Sequence, residues 1–159
     1  DDDVVAEAFQ DAPFCFKYTF IALDQAYPGS KFILTVRDNA EQWYNSLVSY
    51  HTKLYSSTDS APTVEDLKNA DYRYKGYAWD VRNKVFGIGE LDDPYDKQVH
   101  IDYYNDHNSM VLDYFRHRRD LLVINVAEQD SYRRFCDFLG RKPLYDEFPW
   151  ENRTKDFHV

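Results

Sequence analysis

Two short runs of almost unbroken apolar residues stand out along the chain. They are Phe-Ile-Leu-Thr-Val at 32–36 and Leu-Leu-Val-Ile-Asn-Val at 121–126. Neither alternates polar with apolar, which predicts strands at 31–36 and 121–126 covered on both faces, as in a parallel sheet. Elsewhere the apolar positions recur every three or four residues, the spacing of a helix with one buried stripe. Phe16, Phe20, Leu23 and Tyr27 form one such stripe, closed by Pro28-Gly29. Trp43, Leu47, Tyr50 and Leu54 form a second; Asp38 or Asn39 caps that helix, and Glu41 sits near its positive end. Tyr104, Asn108, Val111 and Phe115 share a face of a long helix over 97–117. Tyr132, Phe135, Cys136 and Leu139 point inward from a helix over 131–139, with Gly140 at its end.

The remaining segments are less regular. Residues 4–9 read as a short helix broken by Asp11-Ala12-Pro13, and residues 14–16 fit either a strand or a helix start. Residues 56–63 are a loop; Thr63 is placed to cap a following helix with Glu65 and Asp66 in its first turn. Residues 71–89 mix aromatic with basic side chains and suit a helix over an active-site mouth, a reading that Gly76 weakens. The tail from 141 is irregular. Buried strands separated by helices give an α/β fold with a mostly parallel sheet and flanking helices, in a single domain over 1–159. Ligands of such sheets sit at the carboxyl ends of the strands. Arg37, Asn125 and Glu128 stand there.

Charge narrows the partners. A formal net charge of −9 disfavours nucleic acid, whose binding needs broad neutralisation of phosphates. One small anion, held by a few local donors, remains open. The two cysteines, Cys15 and Cys136, make no CxxC and no disulfide framework, and Cys136 falls on a buried stripe. The five histidines lack metal-ligand spacing, so no metal is expected. No apolar run reaches the length of a membrane span and no signal peptide is visible, so the expected setting is cytoplasmic. Asp1 stands where an initiator Met would, which suggests a fragment or a processed chain.

Arg37 and Ser46 are the candidate binding pair. A guanidinium offers forked donors that match phosphate oxygens, and a serine hydroxyl adds another. With a helix starting near Asn39, the residues Asn39, Gln42 and Ser46 lie along one flank. The bland alternative is an Arg–carboxylate pair beside an incidental surface serine.

The segment YPGSKFILTVRDNAEQWYNSL, residues 27–47, resembles the 3′-phosphate-binding segment of the sulfotransferases that use 3′-phosphoadenosine 5′-phosphosulfate (PAPS). HNSMVLDYFRHRRDLLVINVAEQDSYRRFCDFLGRK resembles the family's later helix, its next core strand and the helix ending in Phe-Leu-Gly. EFPWENRT is similar to the Phe-Pro-x-x-Asn tail of one P-loop sulfotransferase group. The resemblance implies a P-loop-like fold, PAPS as co-substrate, and sulfuryl transfer to a hydroxyl or amine of a small acceptor. It implies that Arg37 and Ser46 bind the 3′-phosphate. The family's glycine-rich loop for the 5′-phosphosulfate has no counterpart: none of Gly29, Gly76, Gly87, Gly89 and Gly140 lies in such a context. The expectation is a C-terminal portion of a longer sulfotransferase.

The general base is unassigned, with Asp11, His51 and His107 as weak candidates. Tyr72, Tyr74, Tyr77 and Trp79 suit an aromatic acceptor pocket, though core packing is favoured. The alternative function is a non-catalytic relative serving as a structural or interaction module, self-associating through an exposed sheet edge. A nucleotide-kinase fragment is disfavoured by the Arg-to-Ser spacing and the tail.

Overall fold

The computed structural model describes residues 8–89 and 92–149. Its elements run α1 (Thr19–Ala26), β1 (Phe32–Thr35), α2 (Ala40–Tyr55), α3 (Val64–Asn69), α4 (Tyr77–Phe86), α5 (Lys97–Tyr114), β2 (Leu121–Ile124) and α6 (Ser131–Leu139). The helix read at 4–9 lies mostly outside the described residues, and 8–10 are irregular. So does most of the EFPWENRT tail.

The strands pair in parallel, with Phe32 opposite Leu121 and Thr35 opposite Ile124. One sheet face carries the first core. Phe20 of α1, Leu34 of β1, and Val111 and Phe115 from the end of α5 are buried together, with Phe32, Val36, Leu121 and Val123 against them. The fold is therefore mixed α/β, a small parallel sheet with flanking helices, as in P-loop-like folds. Asp24 of α1 clamps the arrangement from below. It accepts from both terminal nitrogens of Arg118, each at 2.6 Å, and from the Tyr114 hydroxyl at 2.7 Å. A second core joins α2, α3 and α4: Leu67, Ala78, Trp79 and Tyr95 are buried with Val48, Tyr55 and Val64 around them.

Local chemistry sets several boundaries. Asn39, rather than Asp38, caps α2, its Oδ1 accepting from Gln42 N at 2.8 Å. Thr63 and Asp66 form a reciprocal capping box at α3. Gly76 does not interrupt a helix; it precedes one, at φ 87°, and α4 starts at Tyr77. Gly140 closes α6 at φ 71°. The stripe from Phe16 to Tyr27 gives a shorter helix than its spacing predicts. Tyr18 adopts a left-handed conformation, φ 69°, so α1 starts at Thr19 and Tyr27 lies exposed beyond it.

One expectation is corrected. β1 is not covered on both faces: Leu34 is buried, whereas Ile33 is 39% exposed and Thr35 is exposed. Phe32 N–H and Val36 N–H donate to the Asp120 and Ile124 carbonyls of the β2 strand path. The backbone groups of Ile33 and Thr35 therefore point to the opposite edge, where no described residue pairs with them. The far side of β2 differs, because Arg134 of α6 donates to the Val123 carbonyl at 3.1 Å.

Candidate functional site

The carboxyl ends of both strands meet in one hydrogen-bonded knot. Asn125, directly after β2 and 4% exposed, donates through Nδ2 to Asp38 Oδ1 at 2.6 Å. The other Asp38 oxygen accepts from Gln42 Nε2 at 2.8 Å, and Asp38 N–H donates back to Gln42 Oε1 at 3.0 Å. Arg37 N–H donates to the Tyr104 hydroxyl at 2.9 Å, and the Tyr104 ring lies 5.0 Å from that of Trp43. β1, α2, α5 and β2 thus converge on residues 37 and 38.

Arg37 and Ser46 are both exposed, and neither side chain has a hydrogen bond or ion pair with a described residue. Among the described residues, Arg37 therefore has no carboxylate partner of the kind the bland alternative requires. The flank of Asn39, Gln42 and Ser46 divides by role. Asn39 and Gln42 are engaged by the cap and by Asp38, while Ser46 stays open, about 9 Å along the axis from the helix start. The structure gives no direct contact between Arg37 and Ser46.

A second polar cluster lies inside the α2–α4–α5 core. Arg82 of α4 is 3% exposed, with its guanidinium carbon 3.7 Å from the Tyr95 ring centroid. Its Nη1 lies 3.1 Å from His100 Nε2 and its Nη2 3.4 Å from His51 Nδ1. Its Nε has no partner among the described residues. Arginine only donates, so both imidazole nitrogens accept. His100 then carries its proton on Nδ1, which donates to the Asp96 carbonyl at 2.6 Å. His51 Nδ1 also receives the Tyr95 hydroxyl at 3.0 Å. Burial first, and the Arg82 charge second, pull the His51 pKa down to about 3. Burial likewise lowers His100. His51 is thus a neutral ring whose remaining nitrogen bears the hydrogen, a donor rather than a base.

His107, half-buried on α5, is stacked on Tyr103 with ring centroids 6.1 Å apart. Its Nδ1 is buried without a described partner, and burial, then Lys17, lower its pKa. Asp11 is exposed in the turn before α1, where its carbonyl accepts from Cys15 N–H at 2.8 Å. The structure does not bring Asp11, His51 and His107 into one cluster. Trp79 is core, the favoured expectation, but Tyr72 and Tyr74 are 60% and 49% exposed. An open groove of about 430 Å³ runs along another face of α2, lined by Tyr44, Asn45, Val48, Ser49, Thr52 and Lys53, without Arg37 or Ser46. Cys136 is a buried free thiol and Cys15 an exposed one. Among the described residues no helix is long and apolar enough to cross a membrane, and no His, Cys, Asp and Glu group could hold a metal ion.

Sequence spacing located the strand-end residues but not Arg82. A signal was available: Ala78, Arg82 and Phe86 repeat every four residues, which puts the arginine on the apolar stripe of α4.

No curated protein and no solved structure matches the chain. The family model described as the sulfotransferase domain matches residues 5–157. That span includes the two strands and six helices of the described residues and the knot at the strands' carboxyl ends, and the chain belongs to the sulfotransferase domain family.

Proposed function

We propose that Arg37 and Ser46 hold the 3′-phosphate of PAPS, in an enzyme that passes the sulfuryl group to a hydroxyl or amine of a small acceptor. The observation that carries this reading is the Arg37 guanidinium. It stands at the ligand edge of a parallel sheet with no described partner, in a chain with 28 acidic residues. A forked cation left free at that edge suits a phosphate oxygen pair. Ser46 adds a hydroxyl donor from α2. The chain's share of the chemistry is to bind and orient the donor nucleotide. A glycine-rich loop for the 5′-phosphosulfate is not among these residues, so transfer requires that element from elsewhere. For the acceptor proton the reading keeps His107 and Asp11, since the open nitrogen of His51 is protonated. The two free thiols fit a reducing cytoplasm.

Calorimetric titration with 3′-phosphoadenosine 5′-phosphate tests the reading. Binding is expected for the native chain and is lost in Arg37→Ala. No binding, or binding indifferent to that change, rejects it.

The open edge of β1 favours a second reading, a non-catalytic module that self-associates through strand pairing with a second copy. Light scattering separates the two: a dimer without nucleotide affinity supports the module, and a nucleotide-binding monomer removes it.

A further inference from the structure

We infer that Asn125 is a positioning residue for Arg37: its bond to Asp38 ties the ends of the two strands together and fixes where the guanidinium leaves the sheet. The inference rests on the donor-site reading above.

Asn125 is placed for that task. Its Oδ1 accepts from Ala127 N–H at 3.1 Å and its carbonyl from Glu128 N–H at 3.1 Å, so the turn after β2 holds it rigidly. The Nδ2 group is left to reach across to Asp38. A buried amide so held is costly to leave unpaired. Asp38 passes the constraint on through its two bonds with Gln42, at the first turn of α2. On the other side, Tyr104 holds the Arg37 backbone. Arg37 is therefore fixed at its main chain, while its side chain has no hydrogen-bond or ion-pair partner among the described residues. A long guanidinium arm placed this way loses less freedom when it meets an anion.

A merely structural asparagine and a positioning one are distinguished by Asn125→Asp. The change puts a second carboxylate where the amide donates. Two carboxylates that close cannot both stay ionised without repulsion, and on acidification one shared proton restores a hydrogen bond. The other charged or titratable groups bonded to this knot or next to it are Arg37, Tyr104 and the Glu128–Arg134 pair.

The test titrates 3′-phosphoadenosine 5′-phosphate into the native chain, Asn125→Asp and Asn125→Leu at pH 7.5 and pH 5.0, with affinities taken relative to the native chain at each pH. Amide exchange over residues 36–42 is followed alongside, corrected for intrinsic rates. Asn125→Asp is expected to bind about tenfold more weakly at pH 7.5 and to recover at pH 5.0, with Arg37 and Gln42 amides exchanging faster only at the higher pH. Asn125→Leu is weak at both. Equal affinity in Asn125→Asp, or the same loss at both pH values, overturns the inference. If the native chain itself does not bind, the donor-site reading falls. Exchange then decides the strand-end tie, and unchanged exchange in Asn125→Asp rejects it.

Discussion

Arg82 Nη1 donates to His100 Nε2 across 3.1 Å, with the two side chains 3% and 0% exposed. A guanidinium buried this deeply usually meets a carboxylate. Here its hydrogen-bond partners are two neutral imidazoles, and the Tyr95 ring covers its face.

This arrangement makes stability fall as the solution is acidified. Unfolded histidines titrate near 6.5, whereas in the fold His51 stays neutral down to about 3 and His100 is shifted the same way. Below about pH 6.5 the unfolded chain therefore binds more protons than the folded one. Stability present above that pH is lost as pH falls, at up to about 1.4 kcal/mol per pH unit for each proton, and less for the partly exposed His51. Urea unfolding midpoints at pH 7.0, 6.0 and 5.0 should decline steadily. A flat series refutes the neutral-imidazole assignment.

Substitution of Arg82 itself separates charge from packing. Arg82→Met keeps much of the volume and breaks no carboxylate pair, but it leaves the buried His100 Nε2 without a donor, so it should cost about 1–2 kcal/mol. It should also weaken the acid dependence, because the cation opposing His51 protonation is gone. Arg82→Ala leaves a cavity among Tyr95, Phe86 and His100 and should cost about 3 kcal/mol. Chemical denaturation of both variants at pH 7.0 and 5.5 provides the comparison. A methionine variant as unstable as the alanine one would show that the charge itself holds this core.

Much of this architecture can be read from short-range rules. Asn39, Thr63 and Gly140 end their helices for reasons visible in two or three neighbouring residues, and the two apolar runs became the paired strands. The place of Arg37 just after β1 was legible because the apolar run stops there. What spacing missed depends on long-range placement. Whether a strand face is covered depends on which elements pack there, so the apolar run at β1 predicted two buried faces where one is open. Asp38 was one of two candidate caps, yet one of its partners, Asn125, is 87 positions away. Arg82 lies in a segment whose two exposed tyrosines and three exposed cations hide its one buried cation.

Arg37 and Ser46 should be separable from stability altogether. Neither side chain has a hydrogen bond or ion pair with a described residue, and surface changes of that kind usually stay within about 0.5 kcal/mol. Arg37→Ala should therefore melt with the native chain while losing nucleotide binding. Arg37→Lys should keep part of the affinity, since an ammonium supplies charge but not the fork. Ser46→Ala should lose about tenfold, the worth of one hydrogen bond to a charged oxygen. Paired melting curves and titrations check all three. A Ser46→Ala variant with native affinity would remove the serine from the site.

Asp24 and Arg118 should carry the opposite profile, with a stability effect and no effect on the ligand edge. Asp24 is buried at 7% exposure, and its hydrogen bonds to Arg118 and then Tyr114 hold its pKa at about 2, below the ordinary carboxylate range. The pair ties α1 to the turn between α5 and β2, at the amino end of the sheet and away from Arg37. Asp24→Ala leaves the Tyr114 hydroxyl and Arg118 without their acceptor. It should cost about 2 kcal/mol, less than a fully buried pair because Arg118 is about one-third exposed. Acid should reach this interaction late. A depressed carboxylate contributes above its unfolded value near 3.8 and loses that contribution only as pH falls through about 2. The decline between pH 6.5 and 4.5 should then have the same slope in Asp24→Ala as in the native chain, displaced downward throughout. Unfolding midpoints of the two chains across that range test it, and converging curves would mean that the pair titrates with the histidines.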